Sequence, residues 1–319
     1  MSLSSSKKTG IILFLLISLV FNLSLLYQLS IQHQIHANED SLTKKFPLIS
    51  KRIFVEDQND ILVNFVDLRK KLYEYRENQV VPLGIYFEYL PSGVSIGVNE
   101  KEDYLLASLL KVPMIMAIYH NINTGELDRT KMLTITPEDL DNRFGDLWQK
   151  GAGGQISIDE AIKLVLTNSD NTAKNVLLRA MSVKDLADVF DYLDIPKESE
   201  EDGPVVTPKN YSSILRSLYL SSYLPKDQSN EILEIMTHSV HKDRIRAGVP
   251  EEVAVAHKIG VYEKVGQETS DIYTDCGIVY VPKRPYILCV MTRSSLDEAK
   301  LNISTVSKIV YEYVSSVNK

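Results

Sequence analysis

Cysteine is scarce in this sequence, and no segment carries a long run of positive charge. The two cysteines, Cys276 and Cys289, are too few for a disulfide framework and lack the local spacing of a zinc site. Both fall in one predicted hairpin, roughly diagonal across its strands, so we expect buried thiols, with a disulfide as the alternative. The net charge of -7 comes from interspersed acidic and basic residues, which predicts that nucleic acid is not a partner.

A long uncharged apolar run occupies the N-terminus. Residues 10–31 follow Lys7 and Lys8 and are numerous enough to cross the hydrocarbon core of a bilayer. Cleavage near Ala37 is an alternative, but that residue lies well past the apolar run. The two lysines place the N-terminus in the cytoplasm. We therefore predict a cytoplasmic tail over residues 1–9, a single-pass transmembrane signal anchor over residues 10–31, and the remaining chain on the extracytoplasmic side.

Beyond the apolar run, the sequence indicates a polar stalk and a folded domain. Residues 32–56 are mixed and polar without a sustained period, as is typical of a stalk. The domain is expected over residues 57–319, and an amphipathic helix begins it. The apolar residues of this helix recur at alternating intervals of four and three: Ile61, Phe65, Leu68, Leu72 and Tyr75.

Strands are predicted near both ends of the domain, with helices between them. Helical periods dominate residues 108–222, including 158–167 and 173–181, and a last helix opens with the capping box Ser295-Leu-Asp-Glu298. This order predicts an α+β fold in which terminal helices flank an antiparallel sheet and an all-helical lobe is inserted. The four β-rich runs form two hairpins, 82–90 with 94–98 and 274–281 with 286–293.

A serine and a lysine spaced three apart open an apolar helix in the middle of the chain. In Ser108-Leu-Leu-Lys111 this spacing places both side chains on one helical face, within reach of proton transfer. Unpaired backbone N–H groups at a helix start also favour an oxyanion. The context must decide whether Ser108 is a nucleophile or a helix cap, because the same spacing recurs at Ser4, Ser5, Ser41 and Ser239.

Two further motifs follow Ser108 in the chain. Ser169-Asp-Asn171 lies between helical segments, and Lys258-Ile-Gly260 ends a β-rich run over residues 253–256. Alone, the first is typical of a helix N-cap and the second of a strand end. Their order after Ser-x-x-Lys is the signature set of class A β-lactamases and penicillin-binding proteins, and the three motifs are specific when they occur together.

The sequence resembles class A β-lactamases and other penicillin-recognising serine hydrolases over about residues 83–313. The resemblance implies a β-lactamase-like fold and a serine hydrolase that opens β-lactam rings through a Ser108 acyl-enzyme. It implies no cofactor and no metal, and we expect a monomer. Further landmarks lie in family order: Asn123 to Asp128, Thr136 to Leu140, Thr207-Pro208 and Arg244 to Pro250.

The resemblance implies catalytic roles for four residues. Ser108 attacks the acyl carbonyl, and Lys111 orients Ser108 and takes its proton. Ser169 relays a proton toward the leaving nitrogen, and Lys258 supplies positive potential in the cleft.

The resemblance also implies binding roles. Asn171 holds Lys111 and the substrate amide, and Gly260 lets its strand approach the substrate. The backbone N–H group of Val261 forms an oxyanion hole with that of the nucleophile. Arg246 binds the substrate carboxylate, with a surface role as the alternative, and Trp148 either lines the cleft or packs elsewhere.

Two features depart from the family's pattern. Ile259 stands where the family usually has threonine or serine, so a hydroxyl that helps to bind the substrate carboxylate is missing. The interval after Ser169 is shorter than in the family and lacks a match to the omega-loop glutamate that activates the deacylating water. Glu198, Glu200 and Glu201 are the candidates to replace it, although acidic loop residues are usually solvated.

Three functions therefore stay open from the sequence. The first is an enzyme that hydrolyses β-lactams, with slow deacylation as a further possibility. The second is a D,D-peptidase-like cell-wall hydrolase that acts on a peptidoglycan-like acyl substrate. The third is a membrane-tethered penicillin-binding sensor without turnover.

Overall fold

The structure, a computed structural model, describes residues 18–31, 47–48, 64–263 and 271–316. The chain divides into two compact units, Met1–Pro47 with Lys51–Ile53 and Leu48–Ser50 with Phe54–Lys319. In the first unit, residues 18–31 form a helix (α1) with exposed apolar side chains. Among the residues described, no helix is both long and apolar enough to cross a membrane. Residues 10–17 and most of the predicted stalk lie outside the described residues.

A five-stranded antiparallel sheet forms the centre of the second unit. The described strands are β1 Leu83–Tyr89, β2 Val94–Val98, β3 Tyr104–Leu105, β4 Met132–Thr134, β5 Gln155–Ser157, β6 Ser199–Glu200, β7 Gly203–Val206, β8 Val255–Tyr262, β9 Ile272–Val279 and β10 Tyr286–Arg293. The order of strands in the central sheet is β2-β1-β10-β9-β8. Both predicted hairpins are confirmed, as β1 with β2 and β9 with β10. Strands from the beginning and the end of the domain are neighbours, because β1 pairs with β10.

Two helices from the ends of the domain pack together beside this sheet. They are α2 (Val66–Glu77) and α9 (Leu296–Ser316). The predicted capping box is confirmed, because the backbone N–H of Ser295 donates to the Glu298 carboxylate at 3.1 Å. Apolar side chains of both helices share one core with β1, β2 and β10: Leu68, Leu72, Ile303, Val306, Val310 and Val314.

The predicted helical lobe lies between the strands in sequence. Its helix α7 (Pro208–Leu220) packs on β1, β9 and β10, and its helix α8 (Lys226–Thr237) packs on β8. These observations confirm the α+β prediction. Helix α5 begins two residues earlier than predicted, because the Asp170 carboxylate caps it by accepting a hydrogen bond from the Ala173 N–H at 2.8 Å. The bounds are α3 Lys111–Thr124, α4 Ile158–Thr167, α5 Asn171–Arg179, α6 Val183–Tyr192, α7 Pro208–Leu220 and α8 Lys226–Thr237.

The strand register corrects two details of the sequence interpretation. Cys276 and Cys289 face each other directly, not diagonally, because β10 begins at Tyr286 opposite Val279. Both cysteines are buried free thiols. The Lys258 motif lies inside β8 and does not end a strand, since pairing with β9 continues to Tyr262.

A half-buried ion pair joins the sheet to the lobe and yields a stability prediction. Glu88 on β1 is 5% exposed, and the Nε of Arg216 on α7 donates to its carboxylate at 2.7 Å. Arg216→Ala removes this partner and leaves the buried carboxylate with the Tyr86 hydroxyl, so we expect the free energy of unfolding to fall by about 1–3 kcal/mol in urea denaturation.

The matched control is Lys184→Ala, which breaks the exposed pair with Asp188. Exposed pairs contribute about 0–1 kcal/mol, so this variant is expected to stay close to the wild type. Equal losses in the two variants would contradict the importance of burial at Glu88.

Candidate active site

Ser108 lies in a short turn that leads directly into the buried helix α3. Residues Ala107–Leu110 form a 3₁₀ helix. The hydroxyl of Tyr211 on α7 donates to the Leu109 carbonyl of this turn at 3.1 Å. Ala107 has a φ of +43° and Ser169 a φ of +57°, values that non-glycine residues rarely adopt. Such strain concentrates at functional sites, where the surrounding packing maintains it.

Lys111 is the point where two of the three predicted motifs meet. Its side chain is 2% exposed, and its Nζ lies 3.1 Å from the Oγ of Ser108. The same nitrogen lies 3.0 Å from Ser169 Oγ and 2.7 Å from Asn171 Oδ1, and also contacts the Ser169 carbonyl. The fold therefore brings the predicted nucleophile, base and Ser-Asp-Asn motif together.

Lys258 brings the third motif to the same place from the edge strand β8. Its side chain is 1% exposed, and its Nζ donates to Ser169 Oγ at 2.9 Å and to the Ile259 carbonyl at 3.1 Å. The Ser169 hydroxyl thus lies between two lysine nitrogens. When both amines donate to it, its two lone pairs are used and its own proton is available to a third group.

Burial changes the protonation of both lysines. Desolvation, and then the charge of Lys258, lower the pKa of Lys111 to about 6. Desolvation also lowers the pKa of Lys258 to about 7, against the opposing charge of Asp275. At neutral pH a neutral Lys111 has a lone pair that is able to accept the Ser108 proton.

Asp141 is a site residue that the sequence analysis missed. Its carboxylate accepts from the side-chain amide of Asn171 at 3.2 Å and from Arg143 Nε at 3.1 Å. The hydrogen bond from Arg143 holds the pKa of Asp141 well below its usual range. With its NH₂ group on Asp141, Asn171 turns its carbonyl oxygen toward Lys111. No sequence pattern connects Asp141 with Asn171, 30 residues later.

Arg244 is a further residue next to β8 to which the sequence analysis assigned no role. Arg244 is 3% exposed and donates to the carbonyls of Gly260 at 3.2 Å and Thr274 at 2.9 Å. Arg246, which the resemblance implicated, instead donates to the Val249 carbonyl at 3.0 Å and to the next carbonyl along, and it does not line the cleft. The structure therefore brings Arg244, two residues earlier, to the strand that carries Lys258.

Gly260 is placed where a side chain has no room. A Cβ there would lie 2.4 Å from Thr274 Oγ1 and 3.2 Å from Leu109 Cγ. The glycine therefore allows β8 to approach the turn that carries Ser108. Val261, the next residue, lines the same cleft as Ser108.

The cleft beside Ser108 has a volume of about 910 Å³. Phe144 lines it, whereas Trp148 does not and is 38% exposed. In the described part of the chain, no group of three or more histidine, cysteine, aspartate or glutamate residues is placed to hold a metal. Ionisable side chains contribute to both walls of the cleft: Arg143 and Lys174 from the lobe, Glu263 and Asp271 from the ends of β8 and β9.

The shortened interval before Pro208 contributes no side chain to the lining of this cleft. Residues 199–200 and 203–206 form two short strands, the second paired with Tyr104–Leu105. The candidate bases Glu198, Glu200 and Glu201 are exposed, and none of them lines the cleft. Among the described cleft residues, therefore, no carboxylate comes from this interval.

Comparison with known proteins identifies the family. The model of the Beta-lactamase enzyme family matches residues 67–314. The β-lactamase VEB-1 of Pseudomonas aeruginosa is 22% identical over 242 residues, which cover 69% of this chain and 81% of that protein. The structure of PBP-A has a TM-score of 0.71 and 22% identity, and covers 79% of this chain and 97% of its own.

A PBP-A mutant solved as an acyl-enzyme complex with penicillin G is also similar, with a TM-score of 0.70 and 23% identity over 79% of this chain and 97% of its own. These likenesses confirm the β-lactamase-like α+β fold. The family match covers most of the chain and includes the Ser108, Ser169 and Lys258 motifs. The chain therefore belongs to the β-lactamase enzyme family.

Proposed function

We propose that this protein is a serine hydrolase that opens β-lactam rings through an acyl-enzyme on Ser108. The observation that supports this proposal is the 3.1 Å approach of Lys111 Nζ, buried and with a lowered pKa, to the Ser108 hydroxyl. Activation of a serine needs an adjacent base of this kind. The β-lactamase names of the relatives and the penicillin G complex of the PBP-A mutant support the substrate class.

Acylation follows from the arrangement of the two lysines around Ser169. Neutral Lys111 takes the Ser108 proton while Oγ attacks the lactam carbonyl carbon. The oxyanion is stabilised by the backbone N–H groups of Ser108 and Val261. Collapse of the tetrahedral intermediate breaks the C–N bond, and Ser169 gives its proton to the leaving nitrogen. Lys111 then gives the proton from Ser108 to Ser169, so that Lys111 is neutral again and the Ser169 hydroxyl is restored.

Deacylation is the slow half of the proposed reaction. Ester hydrolysis needs a base that holds a water against the acyl carbonyl. The interval that would supply this base contributes no carboxylate to the cleft among the described residues. The same observation favours a second candidate function, a D,D-peptidase-like hydrolase or a penicillin-binding sensor, and similarity to PBP-A supports it.

We also propose that the apolar N-terminus anchors the domain on the extracytoplasmic side of a membrane. Residues 10–31 contain no charge, and α1 exposes apolar side chains along its length. The substrates proposed above, β-lactams and peptidoglycan-like acyl compounds, are encountered on that side.

The first prediction from the proposed function concerns turnover. Mixed with a chromogenic β-lactam, the protein should open about one equivalent in a burst and then turn over at least about 10²-fold more slowly, because a positioned base typically contributes 10²- to 10⁴-fold. Intact-protein mass spectrometry should find an adduct on Ser108 that persists for minutes. Ser108→Ala should give neither burst nor adduct. Fast steady turnover without an adduct would show that another group activates water.

The second prediction separates the two lysines. Acylation should rise with pH as Lys111 loses its proton near pH 6 and fall as Lys258 loses its own near pH 7. Lys258→Arg should keep part of the activity and lose the falling limb, because guanidinium stays charged. Lys111→Arg should lose about 10²- to 10⁴-fold, because guanidinium is not a base. Equal losses of acylation in the two variants, or a falling limb that persists in Lys258→Arg, would refute these assignments.

The third prediction concerns the anchor. In a bacterial host the full chain should stay in the membrane fraction after alkaline carbonate washing, and added protease should degrade the domain in spheroplasts. Deletion of residues 1–31 should release it from the membrane fraction. Extraction of the full chain by carbonate, or protection from protease, would contradict the proposed anchor or its orientation.

A further inference from the structure

Lys174 occupies a position in the cleft that the proposed reaction does not use. It follows Asn171 by three residues on α5, which places both side chains on one face of the helix. Both residues line the cleft together with Ser108 and Arg143. Sequence analysis did not single out Lys174, because a lysine on a helix is usually solvated.

Within the part of the chain that the structure describes, the Lys174 ammonium has no bonded partner, unlike the other cations near Ser108. Lys111 and Lys258 each donate to several oxygens, and Arg143 is bound to Asp141. For Lys174, by contrast, the described residues supply no hydrogen bond or salt bridge to the side chain, although it is half-buried. A partly dehydrated cation without a partner is costly, and an anion in the cleft offsets that cost.

The positive charge of Lys174 also affects Lys111. It is among the causes that lower the pKa of Lys111, after desolvation and Lys258. Burial lowers the pKa of Lys174 itself, and nearby Arg143 acts in the same direction against the attraction of Asp141. An anion bound to Lys174 would share the cleft with the acyl group on Ser108, because both residues line it.

We propose that Lys174, assisted by Arg143, binds a carboxylate on the acyl side of the substrate, so that the preferred acyl donors carry an anionic side chain. This inference rests on the proposed function, in which Asn171 holds the acyl-side amide. Lys174 lies about one helical turn beyond Asn171 on the same face of α5. A carboxylate attached next to the amide that Asn171 holds would therefore lie on the side of the cleft that Lys174 lines. Because residues 194–206 do not line the cleft, they leave this face of α5 open to substrate.

Two penicillins that differ by one carboxylate provide the test. Benzylpenicillin and α-carboxybenzylpenicillin share the ring system, the amide and the phenyl group, and only the second has an anion beside the amide. The measurement is the ratio of their second-order rate constants for acylation of the full chain, from time-resolved mass spectrometry. The ratio cancels effects on the nucleophile and base that the two compounds share.

Lys174→Met should shift the ratio about tenfold against the carboxylated compound, the size of one hydrogen bond to a charged group. Lys174→Arg should retain most of the wild-type ratio. The control is Lys163→Met, an exposed lysine on α4 that is paired with Asp159, and it should leave the ratio unchanged. In the wild type, added salt should shift the ratio in the same direction as Lys174→Met.

The outcomes separate the inference from the proposed function. If neither penicillin acylates the wild-type protein, the proposed function itself fails. If both acylate it but Lys174→Met leaves the ratio unchanged, the inference is overturned and the function stands. Should Lys174→Met fail to fold, a wild-type ratio that does not respond to salt overturns the inference equally.

Discussion

The burial of two lysine side chains around one serine hydroxyl is the constraint on which the rest of the site depends. Dehydrating an ammonium is unfavourable unless several oxygens replace the lost water. Lys111 and Lys258 obtain those oxygens from Ser169 and Asn171, which lie 58 to 89 residues away in the chain. Three distant segments must therefore be held within about a hydrogen-bond length of one another, and the fold around them serves to maintain that spacing.

The loop between α4 and α5 illustrates how this spacing is maintained. Asp170 is fully buried, and its two carboxylate oxygens accept from the Ala173 N–H at 2.8 Å and from the Leu147 N–H at 2.9 Å. Gly145, with a φ of +80°, lies so close that a Cβ there would meet Asp170 Oδ2 at 2.0 Å. The middle residue of the Ser-Asp-Asn motif is thus a structural anchor, and it offsets the strain of the positive φ at Ser169.

The sequence predicted what local chemistry determines and missed what only the tertiary structure brings together. The spacing of Ser108 and Lys111 is a property of one helix, and the hairpins and the capping box at Ser295 are equally local. Asp141 and Arg244 lie in loops without a periodic pattern, and the contacts that connect them with the site are made to an amide and to carbonyl groups of other segments. Arg246 illustrates the limit well, because a difference of two residues in a short turn decides which arginine approaches β8.

The residues proposed for acylation and the interval expected to provide the base for deacylation lie in different segments of the chain. The groups proposed for acylation come from the 3₁₀ turn and first residue of α3, the loop and first residue of α5, and β8. The turn packs on β8, and α3 packs on α5. A base for deacylation would have to come from another segment, and residues 194–206 do not line the cleft; within them, Val205 and Val206 pair with Tyr104–Leu105. This interval also supports the chain that leads into Ser108, because the Leu106 N–H donates to the Pro204 carbonyl at 2.8 Å, but it contributes no side chain to the cleft. The proposed hydrolase, peptidase-like and sensor functions therefore share one acylating centre, and the presence of a base for deacylation distinguishes fast turnover from a lasting acyl-enzyme.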